Sequence, residues 1–391
     1  MGTAPHRPWP PPPLATAAPG PLLRPCRNRD GRNRRLASGA GCVTTCPDMT
    51  PVDSFLAAQG YAQAERLALP QDAGHRRYTR LRGGPRPALL MDCADAPRVG
   101  LTPEEDLLPF LRLARHIGGI GLSAPAVLAE DTAHGLLLVE DLGEDTHAAL
   151  LDRGADPLPL YAEAAEALAA LHAAPPPPGL PLWETERMAA TAAATFLDWW
   201  WPATFGAAPA DAVRAEFAGA LRAMLAPFAG AGCLVHRDYF PANLMRLEDR
   251  DGPRRTGILD FQDAALGHPA YDLVSLVEDA RRDVAPAVRE ATLARYLALR
   301  PELDAADFHA ALAAMAAQRH LRVAALWVRL DRRDGKPRYL AHGPRCWALL
   351  ARALRHPATA PLARFLDRHV PPALRRNPDA TPASPTKDPA A

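Results

Sequence analysis

Lysine is almost missing from this sequence of 391 residues. Of the 45 basic residues only Lys336 and Lys387 are lysines, and all the others are arginines. A site that needs a lysine amine before residue 336 is therefore excluded. The sequence also lacks a G-x-G-x-x-G loop and a G-K-[ST] loop, which excludes the common glycine-rich phosphate-binding motifs.

Cysteine is also scarce, and long apolar runs are absent. The six cysteines have neither the paired spacing of metal ligands nor the density of a secreted disulfide scaffold, so we expect free thiols in a cytoplasmic protein. No run approaches about 18 consecutive apolar residues, which excludes an apolar membrane span. A formal net charge of +1 argues against nucleic-acid binding through bulk electrostatics. No feature indicates an obligate protein partner.

The chain divides by composition into four segments. Residues 1–48 are rich in proline and arginine and lack periodicity, which predicts disorder. This segment is either a leader similar to an organelle transit peptide or an extension upstream of a true start at Met49. We expect a small lobe of strands at 49–143, a helical lobe at 144–371 and a flexible tail at 372–391.

The hydrophobic pattern predicts an α+β fold. Five short stretches have the composition of strands, namely AERLAL, RRYTRLR, PALLMDC, APAVLAE and GLLLVED. A capping box at Thr102 to Glu105 predicts one helix between the third and fourth strands. After Gly143 the pattern becomes mostly helical, with predicted helices around 160–171 and at 185–200, 209–229, 285–299, 304–330 and 341–355.

The stretch LVHRDYFPANLM, from Leu234 to Met245, has polar residues between apolar flanks. Such flanks place the polar residues on a loop that is held by two buried segments. Asp238 can accept a proton from a hydroxyl group, and Asn243 can turn back to ligate a metal ion. Phosphoryl transfer needs these two functions, because it depends on positioning and on neutralising phosphate charge.

A second acidic stretch, TGILDFQDA, follows a predicted hairpin with a turn at Asp251-Gly252. The hairpin would return Asp260 to the same end of the lobe, where its carboxylate can bridge Mg²⁺ to nucleotide phosphates. Asp263 could touch either the metal ion or an acceptor. A His-Arg-Asp triplet alone is a weak signal in an arginine-rich chain, and the combination with Asn243 and Asp260 is much more specific.

These stretches resemble the aminoglycoside phosphotransferase and choline kinase branch of the protein-kinase-like fold, over roughly Val52 to Leu366. Within that branch, GHRRYTRL, LLLVEDLG, ILDFQDAALGHPAYDLVSL and RLDRRDGKPRYL look most like the anomeric sugar kinases of cell-wall recycling. Those enzymes phosphorylate N-acetylmuramate and N-acetylglucosamine at C1. The resemblance implies a two-lobed fold with a five-stranded N-lobe that binds ATP and a mainly helical C-lobe that binds the sugar.

The resemblance also implies roles for individual residues. Asp238 would be the catalytic base, and Asn243 and Asp260 would hold Mg²⁺. His236 would bond to the backbone near Asp260. Asp272 would brace the catalytic loop, although a carboxylate near a helix N-terminus is equally compatible with its position.

The nucleotide side departs from ordinary kinases, because RPALLMDC contains no phosphate-gripping lysine. Arg76 and Arg77, with Arg80 nearby, are the available cations, and arginine does not simply replace lysine. Glu104 would be the partner acid, or else Glu105, which already has a role in the capping box. The backbone from Glu140 through Asp141 to Leu142 would read the adenine edge, unless this segment is an ordinary interdomain turn.

The stretch FLDWWWPATFG offers candidates for the sugar side. Three consecutive tryptophans on a helix cannot all face one core. Trp199 and Trp200 could therefore stack on a sugar while Asp198 bonds to its hydroxyl groups, and packing between helices is the alternative.

The sequence therefore predicts an ATP- and Mg²⁺-dependent kinase of an amino sugar. An aminoglycoside kinase is a close rival, although its polycationic substrates would require many carboxylates. A catalytically silent nucleotide-binding module is a rival of another class, suggested by the missing lysine. The presence of Asp238, Asn243 and Asp260 together argues against it.

Overall fold

The computed structural model describes residues 49–70, 76–93, 103–230 and 232–380, and it gives the backbone alone for residues 103–106. The predictions for residues 1–48, and for the tail beyond residue 380, lie outside these ranges. In the described ranges no helix combines the length and apolar character that crossing a membrane requires.

The first part of the fold is an antiparallel sheet of five strands in the order β1-β2-β3-β5-β4. The strands are β1 Glu65–Ala68, β2 Arg77–Arg82, β3 Ala88–Asp92, β4 Val127–Asp131 and β5 Leu136–Glu140. Helix α1 (Pro51–Ala58) precedes β1, and α2 (Pro103–Gly119) lies between β3 and β4 in the chain. The predicted five-stranded lobe with one inserted helix is confirmed.

Side chains of this sheet alternate between two cores, as the period of a strand requires. Leu90 and Leu138 pack with Phe55 of α1 in a small core on one face. Met91 and Leu137, their neighbours in sequence, belong to the large core that also contains the apolar face of α2. Both faces of the sheet are therefore covered.

The second part of the fold is mainly helical, as predicted. Its helices are α3 His147–Asp152, α4 Pro157–Ala173, α5 Thr185–Thr195, α6 Trp201–Phe205, α7 Asp211–Leu225, α8 Ala270–Val277, α9 Pro286–Leu299, α10 Ala305–Asp334, α11 Gly343–Ala353 and α12 Ala360–His369. Helix α10 begins after Asp304, whose carboxylate caps the first turn, and ends at Gly335 with a φ of 63°. It packs against α5, α8 and α11 and so forms the centre of this part.

Short strands hold the polar stretches between these helices. Strands β6 (Leu182–Trp183), β7 (Cys233–Val235) and β10 (Ala265–Gly267) form a three-stranded sheet in the order β6-β10-β7. Strands β8 (Leu244–Arg246) and β9 (Thr256–Ile258) form an antiparallel pair. The HRDYFPAN loop joins β7 to β8, and Asp260 follows β9.

The connection between β8 and β9 differs from the predicted hairpin turn. The prediction of a tight turn at Asp251-Gly252 is wrong. Strand β8 ends at Arg246, and a 3-10 turn occupies Gly252–Arg255 before β9 begins. Pro253 explains the difference, since it has no N–H to offer a strand ladder and its fixed φ favours a turn.

The chain after residue 371 also differs from the prediction of a flexible tail. The indole Nε1 of Trp200 donates to the carbonyl oxygen of Arg376 at 2.9 Å, and the indole Nε1 of Trp347 donates to Oδ1 of Asn377 at 2.9 Å. The prediction is wrong for these residues, because two buried indole donors of the helical core require partners.

Candidate active site

The loop after β7 is anchored by one buried carboxylate. Oδ2 of Asp272, in the first turn of α8, accepts a hydrogen bond from the backbone N–H of His236 at 2.6 Å. Its Oδ1 accepts from the backbone N–H of Arg237 at 2.7 Å. The ring Nε2 of His172 lies 3.2 Å from Oδ2, and the side chain of Asp272 is fully buried. The structure thus places Asp272 where a brace for the loop was expected.

Arg237 holds the loop in a strained conformation. Its φ of 76° lies in the left-handed region, which costs a non-glycine residue free energy unless its surroundings compensate. Its carbonyl oxygen accepts from Nη1 of Arg319 at 3.0 Å, and its own Nη1 donates to the carbonyl oxygen of Asp263 at 2.9 Å. Its guanidinium group stacks 4.1 Å from the ring centroid of Trp183. These contacts determine where the next residue, Asp238, points.

Asp238 lies at the mouth of a cleft, with 43% of its side chain exposed. Oδ1 of Asp238 is 3.7 Å from Nη1 of Arg319. Loss of water around the carboxyl group would raise the pKa of Asp238, but the charges of Arg319, Arg322 and Arg237 outweigh this effect and lower it. The carboxylate is therefore ionised at neutral pH and can accept a proton.

His236 joins the loop to the segment that carries Asp260. Its Nε2 lies 2.8 Å from the carbonyl oxygen of Leu259, and its Nδ1 lies 3.3 Å from the backbone N–H of Asp238. These partners assign the proton to Nε2 and the acceptor role to Nδ1. His236 thus contacts the backbone beside Asp260, as expected.

Asn243 and Asp260 meet at the same end of the cleft. Nδ2 of Asn243 donates to the carbonyl oxygen of Asp238 at 2.9 Å and lies 3.4 Å from Oδ2 of Asp260. Asp260 has a φ of 58°, so both non-glycine residues with positive φ in the described ranges belong to this site. Nε2 of Gln262 donates to Oδ1 of Asp260 at 2.6 Å. The three residues expected to act together are thus neighbours.

The charge around Asp260 fits a cation. Burial raises the pKa of Asp260, and the nearby carboxylates of Asp238 and Asp263 raise it further, although Gln262 opposes this. A hard cation would offset this accumulated negative charge, and the donors at hand are carboxylate and amide oxygens. In the described part of the chain no group of three or more His, Cys, Asp or Glu side chains could hold a metal by itself. Two protein ligands suit Mg²⁺, which keeps waters and phosphate oxygens as its other ligands.

An apolar cavity of about 290 Å³ opens beside Asn243 and Asp260. Its other walls come from the sheet, from α2 and from the segment after β9, namely Tyr78, Leu89, Phe110, Pro125, Val139, Leu259 and Phe261. A flat apolar ring would lose its water on entering this cavity, while phosphates attached to it would face the polar end. The strand pattern in the sequence indicated that some of these residues are buried, but it carried no signal that they surround a cavity.

The end of β5 and the segment that follows it are held in place by ion pairs and hydrogen bonds of their acidic side chains. Oε1 of Glu140 accepts from Nη2 of Arg250 at 2.5 Å. Oδ2 of Asp141 accepts from Nε of Arg80 at 2.6 Å, and Nη2 of Arg80 also donates to the carbonyl oxygen of Gly143 at 2.9 Å. Leu142 is half-buried. The acids of this segment are thus engaged within the protein. The backbone N–H groups of Glu140 and Asp141 donate to the carbonyl oxygens of Ala126 and Pro87, and contact of this backbone with a base stays a prediction.

The cations of the N-terminal sheet are in different environments. Arg80 is committed to the turn after β5, so it is not a free phosphate ligand. Nη2 of Arg77 is 2.9 Å from Oδ2 of Asp92 across the β2–β3 ladder, and Arg76 immediately precedes β2. The side chain of Glu104 lies outside the described residues. The contacts of Arg76, Arg77 and Glu104 with a nucleotide stay predictions.

Known proteins resemble this chain in sequence and in fold. A family model described as the phosphotransferase enzyme family matches residues 65–309. The chain belongs to this family. The N-acetylmuramate/N-acetylglucosamine kinase of Caulobacter vibrioides is 39% identical over 355 residues, which cover 83% of this chain and 97% of that protein. The enzyme of the same name from Pseudomonas aeruginosa is 34% identical, over 79% of this chain and 90% of its own length.

Solved structures agree on the fold. A GDP complex of aminoglycoside 2'-phosphotransferase-IIIa matches with a TM-score of 0.54 at 15% identity, over 78% of this chain and 99% of that chain. A microcompartment-associated aminopropanol kinase matches with a TM-score of 0.52 at 18% identity, over 80% and 98%. At these identities they show the two-lobed kinase-like architecture alone. The protein is a phosphotransferase that binds a nucleotide and phosphorylates a hydroxyl group of a small-molecule acceptor.

The tryptophan run contradicts one expectation about the acceptor of this phosphotransferase. Trp200 is fully buried and stacks on Phe196, with ring centroids 4.7 Å apart. Its indole N–H is already bonded to Arg376, so Trp200 cannot offer a face to a sugar. The run adopts a π-helical turn over Phe196–Trp200, and Trp199 is half-buried. The side chain of Trp200 therefore serves in packing between helices, which was the alternative interpretation.

Two other acceptor candidates have partners elsewhere. Oδ1 of Asp198 is 2.8 Å from Nη1 of Arg214, and both side chains are exposed. The backbone of Asp263 is held by Arg237, and its carboxylate contributes to the charge around Asp260. Their contacts with an acceptor stay predictions.

The arginines around Asp238 were missed from the sequence. Arg319 and Arg322 are on α10, about 80 residues after the HRDYFPAN loop, and they look like any other pair in an arginine-rich helix. Their spacing gave no signal, because only the packing of α10 against α8 brings them to Asp238.

Proposed function

We propose that this protein transfers the γ-phosphoryl group of ATP to the anomeric hydroxyl of N-acetylmuramate and N-acetylglucosamine. The product would be a sugar 1-phosphate in the recycling of peptidoglycan, and the enzyme would act in the cytoplasm. The observation that carries this proposal is 39% identity over 97% of a kinase named for both sugars. A second kinase of that name, from another organism, supports it at 34% identity.

Asp238 would accept the proton of the C1 hydroxyl as the new O–P bond forms. The anomeric hydroxyl is more acidic than other sugar hydroxyls, so a base with a low pKa suffices. Asp272 would hold the loop, and His236 would keep Asp238 aligned with the segment that carries Asp260. Positioning and charge neutralisation account for most of the catalysis in phosphoryl transfer.

Asn243 and Asp260 would hold Mg²⁺, whose charge would neutralise the phosphate oxygens of the nucleotide. The apolar cavity would take the adenine ring. The backbone from Glu140 to Leu142 would bond to its edge, and Arg76 or Arg77 would contact phosphates. We place the boundary between the two lobes at Gly143, where the chain turns with a φ of 92°.

An aminoglycoside kinase is the rival function, and the charge of the cleft argues against it. Polycationic acceptors need carboxylates around the base, whereas Asp238 is flanked by Arg237, Arg319 and Arg322. Asp198, Trp199 and Asp263 remain candidates for contacts with the sugar.

The proposal is tested with purified enzyme, ATP, Mg²⁺ and a panel of amino sugars, aminoglycosides, choline and homoserine. We expect consumption of ATP with the two N-acetylated sugars, and phosphorus NMR should show a product phosphate coupled to the anomeric proton. A 1-deoxy analogue should bind and accept no phosphate. Coupling to the H6 protons, or turnover confined to aminoglycosides, would exclude the proposed reaction.

A further inference from the structure

Two arginines on α10, Arg322 and Arg329, form no ion pair with any residue that the structure describes. Arg322 and Arg329 are seven residues apart, so they project from the same face of the helix, and both are half-buried. In the ranges that the structure describes, neither guanidinium group has a carboxylate within ion-pair distance, whereas Arg333 on the same helix pairs with Asp334. The Nε atoms of Arg322 and Arg329 are buried and have no hydrogen-bond partner. Such groups destabilise a protein unless a ligand or solvent satisfies them.

Arg322 is next to the reaction centre. Its Nη2 lies 3.4 Å from the phenol oxygen of Tyr271, and Nη1 of Arg319 lies 3.5 Å from the same oxygen. Its guanidinium carbon is 6.0 Å from the ring centroid of Trp183, the ring on which Arg237 stacks. The charges of Arg319, Arg322 and Arg237 all act on Asp238.

The arginines near Asp238 differ in the partners that their guanidinium groups have. Arg319 is buried and committed to Asp238 and to the carbonyl oxygen of Arg237. Arg237 is committed to Trp183 and to the backbone of Asp263. Arg322 is accessible enough to meet a ligand and retains donors that the protein does not use. Its fork of N–H groups matches a carboxylate in a bidentate geometry.

We propose that Arg322 binds a carboxylate on the acceptor, which is the lactyl carboxylate of N-acetylmuramate, and that Arg329 adds to the positive surface around it. This inference rests on the proposed function. N-acetylglucosamine has no lactyl group, so the two sugars form a matched pair that differs in the group Arg322 would bind. Arg322 thus determines preference between two acceptors that share one reacting hydroxyl.

The experiment measures kcat and KM for both sugars with the wild type, Arg322→Gln and Arg322→Lys. A hydrogen-bonded charge pair predicts that Arg322→Gln raises KM for N-acetylmuramate about 10- to 100-fold. The rise in KM for N-acetylglucosamine should be at least about tenfold smaller. Arg322→Lys should recover part of the loss, because it keeps the charge and loses the fork. The control Arg333→Gln removes the same charge from a paired arginine on α10. It should leave KM for each of the two sugars within about twofold of the wild-type value.

A neutral amide of N-acetylmuramate gives a second measurement on the unaltered protein. The wild type should bind the amide about 10- to 100-fold more weakly than the acid, and Arg322→Gln should not distinguish them. Equal binding of acid and amide by the wild type would overturn the inference, even if the variants fail to fold. An equal loss of kcat with both sugars would also overturn it, because Arg322 would then act on the transferred phosphate. Failure of the wild type to phosphorylate either sugar would instead refute the proposed function itself, and with it this inference.

Discussion

Asp238 and Asp260 belong to one cleft, and their surroundings differ in the sign of the charge they supply. Three arginines, two of them from α10, lower the pKa of Asp238. Burial and the carboxylates of Asp238 and Asp263 raise the pKa of Asp260. Opposite shifts in neighbouring acids mark different chemical tasks. Positive charge from α10 thus surrounds Asp238, whereas negative charge accumulates around Asp260.

The comparison also shows that the chain uses its arginines in different ways. The guanidinium group of Arg80, in the N-terminal sheet, donates to the carboxylate of Asp141 and to the carbonyl oxygen of Gly143. It therefore stiffens the turn between the two parts of the fold. Arg322 and Arg329 of α10, which form no ion pair within the described ranges, are on the side of Asp238. Arginine is thus structural where its fork is satisfied and available to ligands where it is not.

The strongest test of the comparison removes the charge of Asp238 and keeps its shape. Asp238→Asn should lower kcat by about 10²- to 10⁴-fold, because the carboxamide cannot accept the proton of the acceptor. The KM for the nucleotide should change little. Steady-state kinetics with each sugar, and circular dichroism as a check on folding, measure this.

The matched control for this variant is Asp211→Asn, at an exposed aspartate in the first turn of α7. It should leave kcat within about twofold, since most exposed substitutions have small effects. Turnover of Asp238→Asn like that of the wild type would remove Asp238 from the proposed mechanism.

Glu278 is a buried carboxylate whose negative charge is compensated by several cationic partners. Its Oε2 is 2.9 Å from Nε2 of His320, and its Oε1 is 2.9 Å from Nη2 of Arg289 and 2.7 Å from Nη2 of Arg352. Burial alone would raise the pKa of Glu278, but His320, Arg352 and Arg289 lower it to about 2. These contacts join the end of α8 to α9, α10 and α11.

We expect Glu278→Gln to lower the free energy of unfolding by about 3–5 kcal/mol at pH 7, because two guanidinium groups lose their carboxylate. A folded-state pKa below the ordinary 4.5 means that Glu278 stabilises the fold above pH 4.5. This contribution is lost as the pH falls from about 4.5 toward 2, so the difference between wild type and variant should shrink there. Urea unfolding at several pH values measures it. A difference that stays constant down to pH 3 would contradict this account.

The smallest expected effect concerns the cation side of the cleft. Asp260→Ala should weaken Mg²⁺-dependent nucleotide binding by about 100-fold, and Asn243→Ala should act in the same direction by about tenfold. Calorimetric titration of the nucleotide with and without Mg²⁺ separates loss of the metal from loss of the base contact. Unchanged dependence on Mg²⁺ in both variants would contradict the assignment of these two ligands.

The sequence predicted the positions of residues correctly where short stretches determine them. Residue types and spacing placed Asp238 and Asn243 on one loop and predicted that Asp260 returns to the same end of the lobe, and the three residues are neighbours in the structure. The prediction for Trp200 was wrong, because a π-helical turn and a buried core around Phe196 decide where each indole points. The prediction of a tight turn at Asp251-Gly252 was wrong because Pro253 follows, and its fixed φ favours the observed 3-10 turn.

The sequence by itself determined the five strands, the inserted helix, the helical remainder and the family, because periodicity and motif spacing are properties of neighbouring residues. Only the tertiary structure decided which charges meet. Arg80 is on a strand and Arg322 is on a helix, and the local sequence of neither shows whether its guanidinium group will meet a carboxylate. Pairing across elements distant in the chain satisfies the guanidinium group of Arg80, whereas Nε of Arg322 has no hydrogen-bond partner in the described ranges. The proposed contact of Arg322 with a ligand rests on that difference.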